Sequence, residues 1–345
     1  MLSNVTIEAI STYLPENRLT NTQLAQEFVD WTAEKIGQKT GVESRAISGK
    51  DECASDLGVK ASQKLFSEGK YTPEDFDFLL FCTQSPDYFL PTTACLIHEI
   101  LNLPAHCGAL DFNLGCSGYI YGLSLAKGLI ATGSATRVLL ITAETYSKYI
   151  HPNDRGLRTI FGDGASATVV AKSEQSEIGS FVFGTDGSGK NNLIVPAGGH
   201  RLPKSAETKN EIIQDGQVRT LENIYMCGAE VFNFTIKTVP KALEEVLKKN
   251  NLTKQTADYF VFHQANQYML EHLRKKCEIP ENKFCINMEN YGNTVSSTIP
   301  MALEKALIDK SIKYSDTVIL VGFGVGYSWA GTTVRIGKEL VNCIQ

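Results

Sequence analysis

No stretch of this 345-residue sequence reaches the roughly 20 consecutive apolar residues that a membrane-spanning helix requires. The first residues also lack a basic segment followed by an apolar one, which argues against a secretory signal peptide. Basic charge is not in excess, because 33 Lys and Arg residues stand against 38 Asp and Glu residues. A general nucleic-acid-binding protein needs a basic surface, so this class is not expected.

Cysteine is present, but not in a pattern that predicts disulfides. The nine cysteines are an odd number and lie scattered in mostly apolar runs, as is typical of reduced thiols in the cytoplasm. Cys95, His98, His106 and Cys107 lack the paired spacing of a structural zinc site, so we expect no metal ion. With 43% hydrophobic residues, the chain can bury the core of two domains or of one duplicated domain.

Apolar runs alternate with helical patterns along the whole chain, and this alternation predicts an α/β fold. Strands are predicted at 76–81, 109–114, 137–143, 165–171, 258–262 and 317–323. Segment 72–81 resembles segment 253–262, which lies 181 residues later, and segment 137–141 resembles segment 317–321, which lies 180 residues later. A nearly constant offset indicates an internal duplication.

The duplication predicts two similar halves, residues 1–175 and residues 176–345. A polar, glycine-rich stretch over 184–222 is expected to connect them across the surface. If the halves pack together, the chemistry should lie in the crevice at the carboxyl ends of their strands.

A cysteine at the start of a helix is the sharpest local feature. An apolar strand leads into Gly115 and Cys116, and a largely apolar helical stretch follows and ends near Gly133. Unpaired backbone N–H groups and the helix dipole favour a thiolate, so we expect a lowered pKa and a nucleophile. A small buried residue is the other interpretation, and this segment alone does not decide between the two.

Three other segments place polar or glycine residues where strands and helices meet. His263 follows the strand predicted at 258–262, although a histidine bonded to the backbone would give the same pattern. Asn293 precedes the helix predicted at 299–308, at about the place that Cys116 has in the first half, although a simple turn is also possible. Glycines at 322, 324 and 326 follow a strand, but another strand comes next, so we expect a loop of N–H donors and not a dinucleotide site.

Nine stretches of the sequence combine in a characteristic order. They are Trp31 and the segments 39–45, 115–118, 154–156, 161–165, 226–232, 263–266, 291–294 and 322–326. In this order and spacing they resemble the 3-oxoacyl-acyl-carrier-protein synthase III (ketoacyl synthase III) family of the thiolase superfamily, nearly from end to end.

The resemblance implies a five-layered αβαβα fold built from two duplicated halves, and a homodimer. It implies a decarboxylating Claisen condensation of an acyl-CoA with malonyl-acyl-carrier protein, for fatty-acid or related biosynthesis, with no cofactor besides the CoA thioesters. The implied catalytic residues are Cys116, which carries the acyl group, and His263 and Asn293, which donate hydrogen bonds to the malonyl thioester oxygen. The backbone N–H groups of Cys116 and Val325 would form the oxyanion hole.

Residues for binding CoA are also implied by the resemblance. Trp31 and Arg155 match residues that sandwich the adenine, and Asn266 matches a pantetheine contact. The spacing between Trp31 and Thr40 is longer than in the common family pattern, which bears on the mouth of the CoA site.

Two departures concern the acyl pocket and the carrier protein. Leu90 stands where a phenylalanine often closes the acyl pocket from the partner subunit, so we expect a roomier pocket for acyl groups longer than acetyl. Tyr268 stands where many members have an arginine that meets the acidic carrier protein. The basic residues expected to dock the carrier protein instead are Arg274, Lys275 and Lys276.

Alternative functions stay open at this point. Gln84 cannot act as an acid or base, which disfavours the 3-hydroxy-3-methylglutaryl-CoA synthase branch. A related acyltransferase would pass the acyl group from Cys116 to an amine or alcohol, but it would not need both His263 and Asn293. A non-catalytic scaffold that binds carrier protein is disfavoured for the same reason.

Overall fold

Fifteen strands and ten α-helices form from residues 4–28, 30–67, 69–175 and 177–344, which the computed structural model describes. Residues 1–3, where the search for a signal peptide starts, and residue 176, at the predicted boundary of the halves, lie outside this range. The strands are β1 (Asn4–Tyr13), β2 (Asn17–Thr20), β3 (Ser44–Ile47), β4 (Phe78–Cys82), β5 (Gly108–Phe112), β6 (Arg137–Glu144), β7 (Gly164–Ser173), β8 (Val182–Thr185), β9 (Leu193–Ile194), β10 (Ile212–Gln214), β11 (Gln217–Arg219), β12 (Tyr225–Met226), β13 (Tyr259–Phe262), β14 (Thr317–Gly324) and β15 (Ser328–Arg335). The helices are α1 (Asn21–Glu27), α2 (Ala33–Thr40), α3 (Ala54–Ser67), α4 (Thr93–Ile100), α5 (Gly118–Ala131), α6 (Arg155–Arg158), α7 (Gly228–Lys249), α8 (Gln267–Lys276), α9 (Thr298–Ile308) and α10 (Lys338–Ile344).

Two mixed sheets form the centre of the fold. The first has the strand order β1–β7–β6–β4–β5, and the second has the order β8–β15–β14–β13. In each sheet a parallel pair, β4 with β6 or β13 with β14, adjoins two antiparallel pairs. A parallel bridge between Phe260 and Phe284 lies beside β13 as β5 lies beside β4. The two sheets repeat one topology, which confirms the duplicated α/β fold.

Helices separate and cover the sheets in five layers. Helix α5 contacts β4 and β6 of the first sheet and β14 and β15 of the second, and α9 contacts β1 and β13, so both lie between the sheets. Helices α3 and α4 pack on the first sheet, while α7 packs on the second sheet and on α8. The layer order is therefore αβαβα, as the resemblance implies.

The strands are continuous apolar runs because both faces of each sheet are buried. In β4, Leu80 belongs to the central core with α5 and α9, whereas Leu79 and Phe81 belong to the core beneath α3 and α4. In β14, Leu320 belongs to the central core and Val321 to the core beneath α7. Side chains alternate between faces along a strand, so two sheets produce three apolar cores.

Helix α7 begins much earlier than the sequence pattern indicates. The sequence predicts a helix over 240–250, because Leu243, Val246 and Leu247 recur at helical spacing and Asn250 and Asn251 favour an end. A proline lacks an N–H and is usually found at the start of a helix. In the structure α7 continues through Pro240, and its buried residues include Phe234, Val239, Leu243 and Val246. A proline within a helix costs about 3 kcal/mol, whereas each fully buried apolar side chain contributes roughly 1.5–3 kcal/mol. Burial of this face therefore outweighs the proline.

The connection between the sheets is more structured than the sequence suggests. Strands β9, β10 and β11 form within 184–222, and β9 pairs with β12 beyond it. The division into halves at residue 175 stays a prediction. None of the described helices combines the length and the apolar character needed to cross a membrane.

Candidate active site

Cys116 lies where the two sheets approach each other, between the end of β5 and the start of α5. Its side chain is buried. A Cβ atom on Gly324, in β14, would lie 2.9 Å from the Sγ of Cys116, and one on Gly322 would lie 2.8 Å from the Cys116 carbonyl oxygen. Real Cβ atoms do not approach this closely, so the second sheet reaches the thiol only because these residues are glycine.

The expectation of a lowered pKa for Cys116 is wrong. Burial, and secondly the carboxylate of Glu144, raise the pKa of the thiol to about 12. The backbone N–H groups of Cys116 and Val325 act in the opposite direction. A helix N-terminus contributes roughly 0.3–2 kcal/mol, while removing an ion from water costs several kcal/mol, so desolvation prevails. Cys116 is therefore a thiol at neutral pH.

His263 follows β13, and neighbouring groups fix both its backbone and its ring. Its backbone N–H donates to the carbonyl of Val321 at 2.9 Å. Its Nδ1 lies 2.7 Å from the Oγ1 of Thr298, and its ring packs edge-on against Phe323. Burial lowers the pKa of His263 to about 3, so the imidazole is neutral at physiological pH.

Asn293 lies in the buried turn that precedes α9. Its Oδ1 accepts a hydrogen bond from the N–H of Val295 at 2.9 Å. Its Nδ2 donates to the carbonyl of Ala265, two residues after His263, at a long 3.4 Å. The side chain of Val295 belongs to the same apolar cluster as Cys116. The structure thus brings Cys116, His263 and Asn293 around one turn and the end of β14.

Glu144, at the end of β6, is a buried carboxylate that the sequence interpretation missed. It accepts hydrogen bonds from the N–H of Gln84 at 3.0 Å, from Ser85 at 3.1 Å and from Ser296 at 2.9 Å. Burial raises the pKa of Glu144 to about 8, although these donors oppose the shift. Because Ser296 belongs to the turn of Asn293, Glu144 ties that turn to the first sheet. An acid at the end of an apolar strand whose other charged residue, Arg137, stands at the opposite end is the signal that would have found it.

A cavity of about 990 Å³ adjoins the surroundings of Cys116. Its wall includes Tyr146 and Val325, which pack in the same cluster as Cys116. The hydroxyl of Tyr146 donates to the Oε1 of Gln84 at 2.5 Å. Cys116, His263 and Asn293 do not themselves line the cavity. The cavity adjoins the thiol through residues such as Tyr146 and Val325. No sequence pattern indicates Tyr146, because a tyrosine that follows a strand is common and carries no functional signal.

Leu90 is highly exposed in the single chain. It is 83% exposed and absent from the wall of the 990 Å³ cavity, whereas its neighbours Tyr88 and Phe89 belong to that wall. These neighbours are also exposed, by 61% and 86%. The expected role of Leu90 concerns a partner subunit and stays a prediction.

Trp31 and Arg155 lie on neighbouring surface segments. The guanidinium of Arg155 is 3.9 Å from the carboxylate of Asp30, which precedes Trp31. The Nζ atoms of Lys39 and Lys35, both on α2, lie 5.1 and 5.9 Å from the centre of the Trp31 ring. The aromatic ring is therefore surrounded by positive charge.

The two ends of α8 carry further expected contacts. Asn266 caps the start of the helix, and its Oδ1 accepts from a backbone N–H of the first turn at 2.8 Å. Near the other end, Arg274 pairs with Glu271 at 2.8 Å, which neutralises part of its charge. The exposed cations of the last turn are Lys275 and Lys276. The role of these three residues in docking a carrier protein stays a prediction.

Cysteine and histidine residues do not combine into a metal site. None of the nine cysteines, all of which lie in the described ranges, forms a disulfide. In the described ranges, no three His, Cys, Asp or Glu side chains are placed to hold a metal ion. Cys95 and His106 are exposed while Cys107 is buried, so they do not share one environment.

Two repeated α/β units around a buried thiol define the class of thiolase-like condensing enzymes, which are acyltransferases. Residues 110–187 match the protein family described as "3-Oxoacyl-[acyl-carrier-protein (ACP)] synthase III". Residues 247–336 match the family described as the C-terminal part of the same enzyme. A "Beta-ketoacyl-[acyl-carrier-protein] synthase III" of Caldanaerobacter subterraneus subsp. tengcongensis is 39% identical over 329 residues, 94% of this chain and 96% of that protein. The chain belongs to the 3-oxoacyl-acyl-carrier-protein synthase III family.

Solved structures agree with this membership. A crystal structure of a 3-oxoacyl-(acyl-carrier-protein) synthase III is 52% identical, with a TM-score of 0.95, and covers 96% of this chain and 100% of that chain. The 3-oxoacyl-(acyl-carrier protein) synthase of Burkholderia xenovorans LB400 is 36% identical, with a TM-score of 0.90 over 99% of this chain and 96% of that chain. These similarities confirm the thiolase-like fold.

Replacement of Gly324 by alanine should displace Cys116. The new Cβ would lie 2.8 Å from the Cβ and 2.9 Å from the Sγ of Cys116, so the thiol must move. Misplacement of a reacting atom by about 1 Å costs about 10²-fold in rate, and we expect that loss in the acylation of Cys116 by acyl-CoA, measured by intact-protein mass spectrometry. Gly128→Ala is the control, because nothing lies within 4 Å of its added Cβ on α5. Normal acylation of the Gly324→Ala protein would contradict this packing.

The reactivity of Cys116 should rise with pH over an unusually wide range. With a pKa of about 12, the thiolate fraction grows about tenfold for each pH unit up to pH 10, without a plateau. The rate of alkylation of Cys116 by iodoacetamide, followed by peptide mass spectrometry, should show this slope. The exposed Cys95, measured in the same digests, controls for reagent and proteolysis. A plateau below pH 9 would indicate that the helix N-terminus outweighs burial.

Proposed function

We propose that the protein condenses an acyl-CoA with malonyl-acyl-carrier protein, with loss of CO₂, to form 3-oxoacyl-acyl-carrier protein through an acyl-Cys116 intermediate. The observation that carries the proposal is the meeting of three uncharged groups in one buried place: a thiol, an imidazole and a carboxamide. A simple acyl transfer requires the thiol, whereas decarboxylation also requires donors for an enolate oxygen.

In the first half-reaction, the Sγ of Cys116 attacks the thioester carbonyl of the acyl-CoA. A new C–S bond forms, the bond from that carbon to the CoA sulfur breaks, and the thiol proton passes to the CoA sulfur. The N–H groups of Cys116 and Val325 already act on the thiol sulfur, and so they are within reach of the carbonyl oxygen of a group attached there. Loss of one such donor in other enzymes costs about 2.7–4 kcal/mol.

In the second half-reaction, the malonyl group loses CO₂ and leaves an enolate. The negative oxygen of the enolate accepts hydrogen bonds from His263 and from the Nδ2 of Asn293. The enolate carbon then attacks the acyl carbon, the bond to Cys116 breaks, and the thiolate takes a proton from water. A neutral His263 suits this role, because a buried imidazolium would bind the malonyl carboxylate and oppose its loss.

Binding of both substrates is supported by charge on one side of the molecule. Trp31, Lys35 and Lys39 offer an aromatic ring and cations to the adenine and phosphates of CoA, with Arg155 beside them. The Nδ2 of Asn266 can meet the pantetheine, since its Oδ1 is committed to the helix cap. On the carrier protein, the complementary surface would be acidic and would dock on Arg274, Lys275 and Lys276.

Assembly as a homodimer is supported by two features of the first sheet. Strand β5 is at the edge of that sheet, with backbone groups that can pair with a second chain. Tyr88, Phe89 and Leu90 form an exposed apolar patch, and such patches mark interfaces. In this assembly Leu90 would enter the acyl pocket of the partner subunit.

Separate measurement of the two half-reactions tests the proposed function. The unsubstituted protein should form acyl-Cys116 from acyl-CoA and, with malonyl-acyl-carrier protein, release CO₂ and 3-oxoacyl-carrier protein. Asn293→Ala should keep acylation but lower condensation about 10²–10³-fold, because one enolate donor is lost. Cys116→Ala should abolish acylation. The measurements are mass spectrometry of the protein and of the carrier-protein product.

The same assay identifies the alternatives. If the protein is acylated but transfers the group only to an amine or alcohol, the condensation proposal is wrong. If label still accumulates on Cys116→Ala protein, a different residue is the nucleophile.

Leu90 should influence the chain length of the acyl group. Leu90→Phe adds volume at the proposed pocket, so turnover of hexanoyl-CoA and decanoyl-CoA should fall relative to acetyl-CoA, by about tenfold for a loss of about 1.4 kcal/mol in binding. Ile213→Phe is the control, since Ile213 is also highly exposed but lies on β10. An unchanged ratio of acetyl to longer acyl groups, or a preference for acetyl-CoA before the substitution, would contradict the role of Leu90.

A further inference from the structure

A neutral imidazole has one N–H and one lone pair, and only one of them faces a substrate. His263 is neutral, so the group that contacts its Nδ1 decides which atom carries the proton. That group is the hydroxyl of Thr298, at 2.7 Å. Both residues are buried, and the structure offers Nδ1 no hydrogen bond other than this one among the described residues.

The hydroxyl of Thr298 has one proton and two nearby acceptors. It lies 2.7 Å from the Nδ1 of His263 and 3.0 Å from the carbonyl of Val295. Hydrogen bonds donated by hydroxyl groups are typically about 2.7–2.8 Å long, and those donated by N–H groups about 2.9–3.0 Å. The carbonyl of Val295 already accepts from the backbone N–H of Thr298. The shorter contact and the second donor to the Val295 carbonyl favour the bond with Nδ1 as the one that takes the hydroxyl proton.

We infer that Thr298 is a positioning residue: by donating its hydroxyl proton to Nδ1, it holds the proton of the neutral His263 ring on Nε2. This inference deepens the proposed function, because only the Nε2–H form can donate a hydrogen bond to the enolate oxygen of the malonyl group. The other tautomer would present a lone pair to that oxygen and repel it.

The turn around Val295 orients the second donor in the same way. Val295 has a φ of +56°, a left-handed conformation that is rare for a β-branched residue. This turn directs its N–H to the Oδ1 of Asn293 and its carbonyl to Thr298. With Oδ1 engaged, the amide of Asn293 presents its Nδ2 hydrogens. One turn thus fixes the donor ends of both side chains.

The position of the proton can be measured without substrate. The sequence contains six histidines, and ¹⁵N NMR of protein labelled in the histidine rings reports protonation of each ring nitrogen. Signals of His263 are identified by their loss in His263→Asn protein. At pH 7 we expect a protonated Nε2 and an unprotonated Nδ1. A proton on Nδ1 would overturn the inference, even if no variant of Thr298 folds.

Thr298→Val keeps the shape of the side chain but removes the hydroxyl. Without the hydroxyl, no group of the described residues donates to Nδ1, so the proton should no longer be held on Nε2. We expect release of CO₂ from malonyl-acyl-carrier protein to fall about 10²-fold, with acylation of Cys116 unchanged. Thr298→Ser should restore both the Nε2 proton and the CO₂ release.

The control is a buried threonine elsewhere in the core. Thr168, in β7, has its hydroxyl 3.4 Å from that of Tyr119, and Thr168→Val should leave both half-reactions unchanged. Unchanged CO₂ release in Thr298→Val, a parallel loss of acylation, or failure of Thr298→Ser to restore release would each contradict the inference. If the unsubstituted protein releases no CO₂, the proposed function fails, while the NMR measurement still decides the tautomer.

Discussion

The arrangement of the active site depends on one buried turn in which a β-branched residue adopts a left-handed conformation. Such a conformation costs about 1–3 kcal/mol and persists only where the surroundings hold it. Around Val295 they do, because Ser296 donates to Glu144 and Ser297 donates to the carbonyl of Thr142 at 3.0 Å. A hydrogen bond contributes about 0.5–1.5 kcal/mol net, so these two bonds together are comparable with the strain and offset it. Acceptors on β6 of the first sheet therefore hold this turn in place.

Desolvation gives this site its chemical character. Burial raises the pKa of Cys116 and of Glu144 and lowers the pKa of His263, and in all three cases it favours the neutral form. A neutral pocket does not hold the malonyl carboxylate by charge, so the group is free to leave as CO₂. The oxygen that becomes negative meets oriented donors in a medium of low dielectric constant, where each hydrogen bond is strong.

Much of the fold and of the site could be predicted from local sequence. Strands β4, β6, β13 and β14 were predictable because each is an apolar run buried on both faces. Cys116 was predictable because it stands between a strand and a helix. The direction of the pKa shift of Cys116 was not predictable. The sequence shows that a helix begins after Cys116, but it does not show how deeply the thiol is buried. Val295 and Thr298 were missed because no pattern of residue types announces a left-handed valine or a hydroxyl aimed at an imidazole. The high exposure of Leu90 was not predicted, because the role expected of this residue concerns a partner chain.

Duplication explains why neither half could form this site alone. Cys116 and Asn293 precede the two central helices at corresponding places, but α5 begins two residues after Cys116, whereas a 3-10 turn separates Asn293 from α9. The shorter entry leaves backbone N–H groups at the thiol, and the longer one provides the turn that holds the carboxamide of Asn293. The core that joins the halves contains Leu140 of the first sheet and Leu320 of the second, so the nucleophile and its donors meet only when that shared core is packed. The geometry of the active site therefore depends on the stability of the interface between the sheets. A substitution that loosens the central layer should lower condensation, which needs residues from both halves, more than acylation.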